Sequence, residues 1–289
     1  MQVVLVTNVQ SFCDWATGCL MTRFFPTMVL LLFLVPSVPR AQDFDLGLAA
    51  AEAGDTATAL REWTPLAEQG YVAAQMNVGL IYRDGRGVPQ DYAEAAKWLL
   101  LAAEQGEEAA QVIIGFMYHE GTGVPQDYAE ATKWYRLAAE QGNASAQNNL
   151  GVIYEAGTGI PQDYAEATKW YRLAAEQENA SAQNNLGIMY AVGNGVPQDY
   201  AEAMKWYRLS ANQGLISAQN NLGKLYERGL GVPQDFVTAH MWFNLSAANG
   251  QAEASVARDE IVKLMTPADI SEAQRRARVC HESGYKDCD

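Results

Sequence analysis

The chain has 289 residues, 49% of them hydrophobic, and a formal net charge of −14. That much apolar material is ample for a core, while the acidic balance argues against a nucleic-acid partner, which requires a basic face. It also disfavours docking on anionic membranes.

From the N-terminus, Thr27 to Val35 form an apolar run too short to span a bilayer. Arg23 precedes this run and Pro39-Arg40-Ala41 follows it, the plan of a secretory signal peptide with cleavage expected after Ala41. Met21 would open a compact signal, so residues 1–20 are expected to be an upstream over-extension of the reading frame. The other reading, a buried N-terminal helix, sits poorly with Pro26, Pro36 and Pro39. The mature chain is therefore expected in the periplasm or secreted, with no stable membrane span.

Residues 43–71 read as a degenerate helical pair, Ala49 to Ala53 and Ala59 to Leu66, joined by the turn Gly54-Asp55. From 73 to 252 a unit of 36 residues runs five times without slippage, with its proline at Pro89, Pro125, Pro161, Pro197 and Pro233. Gly79, Gly115, Gly151, Gly187 and Gly223 keep the same step, as do Trp98, Trp134, Trp170, Trp206 and Trp242. A fixed period of this length marks a solenoid of stacked supersecondary units.

Within one unit, Ala182, Leu186, Met189 and Tyr190 are spaced by three and four, one apolar helical stripe. Gly187 costs that helix about 1 kcal/mol in propensity, so its recurrence implies a neighbouring helix packed too closely for a side chain. Gly193-Asn194-Gly195 stops the helix and Val196-Pro197-Gln198 turns the chain. Asp199 then starts a second helix, spaced from Glu202 as in a capping box, with the same pair at Asp91/Glu94, Asp127/Glu130 and Asp163/Glu166. Tyr200, Ala203, Trp206 and Tyr207 form its apolar face. Each helix is about a dozen residues and marginal alone in water.

After the fifth copy, Ala254 to Met265 reads as another helix, and Thr266-Pro267 as the N-cap and first position of a last one. Residues 253–289 thus form a C-terminal cap. Cys280 and Cys288, with seven residues between them, are expected to close a disulfide loop in an oxidising compartment. Together with His281 they could instead contribute to a metal site, but three candidate ligands are few.

The unit, from Ala-Gln-x-x-Leu-Gly through Val-Pro-Gln-Asp-Tyr to Trp-Tyr-x-x-Ala-Ala-Glu-Gln-Gly, resembles the Sel-1-like repeat, a relative of the tetratricopeptide repeat. The resemblance implies an all-α fold, an α/α superhelical solenoid whose first helices line a concave groove. It also implies a non-catalytic scaffold that binds a protein or peptide. By that analogy the groove carries Met76, Val112, Asn148, Asn184 and Asn220 in one row, and Arg83, His119, Glu155, Ala191 and Glu227 in a second. The asparagines could bracket an extended peptide backbone, or be a polar face copied by duplication.

Catalytic patterns are sparse. The recurring Gly-x-Gly lacks a third glycine and is a helix stop. Ser283-x-x-Lys286 matches a penicillin-interacting pattern without its companion motifs. β-Lactam binding or hydrolysis, seen in cysteine-rich relatives, and glycan binding by tyrosines stay as alternatives. Neither a cofactor nor a metal is expected.

Overall fold

The computed structural model describes residues 41–288, so the signal segment expected over residues 1–41 lies outside the described residues except for Ala41. Fourteen α-helices and no strand occupy them. The opening pair is α1 (Ala41–Glu52) and α2 (Thr56–Glu68), both longer than the sequence stripes indicate. Five pairs follow, α3 (Val72–Asp84) with α4 (Tyr92–Glu104), α5 (Glu108–Glu120) with α6 (Tyr128–Glu140), and α7 (Ala144–Ala156) with α8 (Tyr164–Glu176). Next come α9 (Ala180–Val192) with α10 (Tyr200–Ala211), and α11 (Ile216–Arg228) with α12 (Phe236–Ala248). The chain closes with α13 (Ala252–Ile261), a 3-10 turn and α14 (Pro267–Glu282). From α1 to α13 each helix packs on its neighbours in sequence, which is the α solenoid the period implies, and α14 folds back onto α12.

The Val-Pro-Gln-Asp loop satisfies helix ends on both sides. Gly193 takes the left-handed conformation at the end of α9 (φ 86°). Gln198 Nε2 donates to the Ala191 carbonyl at 2.8 Å, and the Asp199 N–H donates to the Tyr190 carbonyl at 2.9 Å. Asp199 Oδ1 in turn accepts from the N–H groups of Ala201 and Glu202. This corrects the capping-box reading. The aspartate N–H is already spent on the previous helix, and Glu202 pairs with Lys205 instead. The same holds for Asp91, Asp127 and Asp163. Among the described residues the reciprocal box forms at Thr266 and Asp269, where α14 starts.

The recurrent mid-helix glycine has the expected cause. A Cβ on Gly187 would lie 2.7 Å from the Tyr207 ring, and one on Gly151 would lie 2.6 Å from Tyr171. Tyr135, Tyr171 and Tyr207 are buried, as are Trp98, Trp134, Trp170 and Trp242, while Trp206 is half-buried.

The last copy departs where α14 covers it. Lys97, Lys133, Lys169 and Lys205 are exposed, but their counterpart is Met241, fully buried on α12. Met241 and Leu245 share one cluster with Ala277, Cys280 and Cys288, and the two cysteines are joined by a disulfide. The loop it closes sets Tyr285 against Gly214.

Candidate functional site

Two recesses open on the first helices of the early copies. One, of about 590 Å³, lies between α3, α5 and the start of α4, lined by Arg83, Tyr92, Val112, Ile113, Phe116 and Asn149 among others. A smaller one, of about 140 Å³, is lined by Phe116, His119, Glu120, Tyr135, Asn149 and Val152. Phe116 borders both and is 53% exposed, unusual for an aromatic side chain on a helix whose other face is core.

Of the first expected row, Val112 lines the larger recess, while Met76 is half-buried and packs against the core of α4 and α5. The asparagines of that row do not present an open ladder, which corrects the expectation. Asn184 is 6% exposed and Asn220 3%, with Asn148 half-buried. Adjacent first helices close over Asn148 and Asn184, and Asn220 Nδ2 donates to Glu253 of α13 at 3.4 Å. Asn185 Nδ2 donates to Asn148 Oδ1 at 3.1 Å, and Asn221 Nδ2 donates to Asn184 Oδ1 at 3.1 Å. These bonds join copy to copy.

The second row is more accessible. Arg83 lines the larger recess and is held by Asp84 at 2.7 Å. His119 lines the smaller one, with Nδ1 2.8 Å from Glu120 Oε1 and its ring edge-on to Tyr128. Glu155 accepts a 2.6 Å hydrogen bond from the Tyr171 hydroxyl. Burial, and then the carboxylate beside it, push that phenol above its ordinary value. Burial likewise raises Tyr135, whose hydroxyl is engaged by Asn149. Ala191 and Glu227 lend their carbonyls to Gln198 and Gln234.

Sequence reasoning missed Ile113, Phe116, Asn149 and Val152. A signal was present: one helical turn beyond the asparagine row, aligned copies read Leu80, Phe116, Val152, Ile188 and Lys224. That row changes residue in every copy, as a recognition row would, whereas the buried rows repeat.

The Ser283-Lys286 pair is structural in its visible bonds. Ser283 Oγ donates to the Cys280 carbonyl at 2.8 Å and accepts from the N–H groups of Lys286 and Asp287. No group of three or more His, Cys, Asp or Glu side chains among the described residues could hold a metal ion. Nor is any described helix long and apolar enough to cross a membrane.

The Sel1 repeat model matches five consecutive segments, 72–107, 108–143, 144–179, 180–215 and 216–251. A comparison with curated proteins gives no match. Among solved structures, the chain is 39% identical to a protective antigen of uropathogenic Escherichia coli strains that displays an SLR fold, at a TM-score of 0.73. That alignment covers 85% of this chain and 54% of the antigen, so the chain spans about half of that relative's length. A Sel1 repeat protein from Oxalobacter formigenes is 34% identical at a TM-score of 0.71, with 81% of this chain and 98% of that one covered. Five repeats matched end to end and two such structural relatives lead to one conclusion: the chain belongs to the Sel1 repeat family of α-solenoid scaffolds, which generally serve protein interaction.

Proposed function

We propose that the chain is an exported, non-catalytic scaffold that binds a segment of another protein along its first helices. The observation that carries this reading is Phe116, exposed between two recesses and flanked by Val112, Ile113 and Val152. An aromatic anchor beside apolar pockets is the usual seat of an interface hot spot. The segment it fits bears one bulky apolar side chain, with Asn149 at hand for backbone hydrogen bonds. Basic residues flank that side chain. Glu120 sits at the C-terminal end of α5, where the helix dipole is negative, and the chain is acidic overall; Asp84, at the end of α3, is already paired with Arg83 and Arg86.

Export draws support from the signal-like N-terminus, the Cys280–Cys288 disulfide and the likeness to a protective antigen. The test is a selection of displayed random peptides on the full chain, repeated with Phe116→Asp. Selected peptides should share an apolar anchor with basic flanks and lose at least about tenfold in affinity on the variant. Because Phe116 is exposed, the variant should keep its helical circular dichroism. Peptides that bind both proteins equally would place recognition elsewhere and end this reading.

A further inference from the structure

Every copy carries a leucine at one position of its second helix: Leu101, Leu137, Leu173, Leu209 and Leu245. The first four are 38–44% exposed, and none of them lines the recesses beside Phe116. Leu245 is 4% exposed, because α14 lies on α12 and brings Ala277 and Cys280 into the same cluster. The face of α14 turned inward consists of small residues, Ala273, Ala277 and Cys280, at spacings of four and three. A large leucine thus meets a small-residue stripe, the close helix–helix fit that ridges and grooves favour. The chain itself shows what this position accepts.

We propose that Leu101, Leu137, Leu173 and Leu209 form a second docking surface, for a partner helix with Ala-sized residues at i, i+4 and i+7. It is independent of the groove. The lysines one turn before these leucines, Lys97, Lys133, Lys169 and Lys205, set a further requirement. Each is more than half exposed and bonded to Glu94, Glu130, Glu166 or Glu202 three residues earlier. In the fifth copy, where a helix does cover the site, the lysine is replaced by Met241. A helix docking on the open copies therefore covers the leucine and leaves the ammonium at its rim, or meets it with an acidic side chain. Beside Leu101 there is room for such an edge: Lys97, Trp98, Leu101 and Glu104 border a recess of about 540 Å³ against Ala67 and Gly70 of the preceding unit.

The probe is a fluorescent peptide of sequence 266–282 with Cys280→Ala, titrated with the full chain and followed by anisotropy. Saturable binding is expected, weakened at least about tenfold by Leu137→Glu, Leu173→Glu and Leu209→Glu together, and unchanged by Phe116→Asp. The three leucines are partly exposed, so circular dichroism should show the variant folded. Absence of saturable binding would overturn the proposal. So would binding indifferent to the three substitutions, which would mean exchange with the resident α14 on Leu245.

Discussion

Gln177 Nε2 donates a hydrogen bond to Gln147 Oε1 at 2.8 Å, while Gln147 Nε2 donates to the Ala139 carbonyl at 3.1 Å. One buried glutamine on α7 therefore ties the end of α6 to the end of α8. The arrangement recurs through Gln75 with Gln105, Gln111 with Gln141, and Gln183 with Gln213. It breaks at Gln219, whose Oε1 has no partner, because the next residue in the series is Asn249, one methylene shorter.

Replacing Gln147 by leucine removes both bonds, while the exposed Gln177 amide keeps the Leu173 carbonyl and the Ala139 carbonyl keeps the Gly142 N–H. The cost is about 1–3 kcal/mol, from two lost hydrogen bonds worth about 0.5–1.5 kcal/mol each. Gln219→Leu, which loses a single 3.4 Å bond, should cost less. Urea midpoints of the two variants, read by circular dichroism, make the comparison.

The converse change is Asn249→Gln. A glutamine there reaches the Gln219 oxygen and can keep the link to the Leu245 carbonyl, as Gln177 does with Leu173. A gain of about 0.5–1 kcal/mol follows from one net hydrogen bond. It should appear as a raised thermal midpoint, and no rise would mean that the contact of Asn249 with Tyr285 is worth as much.

Gly151→Ala opposes two effects. Helix propensity improves by about 1 kcal/mol, but the new methyl group falls 2.6 Å from the Tyr171 ring, itself fully buried. Overpacking costs about 1–3 kcal/mol, and the displaced ring also strains the hydroxyl bond to Glu155. Net destabilisation is expected, measured as a lower denaturant midpoint.

His240 makes stability depend on pH. It is 3% exposed on α12, its Nδ1 has no partner, and burial, aided by Arg258 and opposed by Asp259, lowers its pKa from the ordinary 6.5. The unfolded chain then binds more protons than the folded one once the pH falls through 6.5. Stability is full above that value and drops progressively toward the lower folded pKa. Between pH 7.5 and pH 5.5 the denaturation midpoint of the native chain should fall further than that of His240→Leu.

Architecture was legible because its causes recur at a fixed step. The glycine facing Tyr207, the left-handed Gly193 and the N-cap Asp199 each announce themselves five times or nearly so. The site was legible only in part. A helical wheel places Asn184 on an outer face, since it shows one helix and omits the next first helix 37 residues on, whose Asn221 closes over it. Likewise the Asp199–Glu202 spacing matches a capping box, but the competing acceptor, the Tyr190 carbonyl, belongs to the previous helix. Phe116 escaped notice because it sits in a row without a shared residue type, and repetition draws the eye to the core instead. Met241 in place of a lysine marked the covered face of α12 in plain letters.

The seating of α14 on Met241 and Leu245 bears on how such a molecule can grow. An interior module can be duplicated freely, since each presents the same two sides to its neighbours. The terminal one cannot be copied inward without leaving a greasy methionine bare, nor can another be appended behind it without evicting the last helix. Lengthening by gene duplication is thus confined to the middle of the chain, and its far end stays fixed.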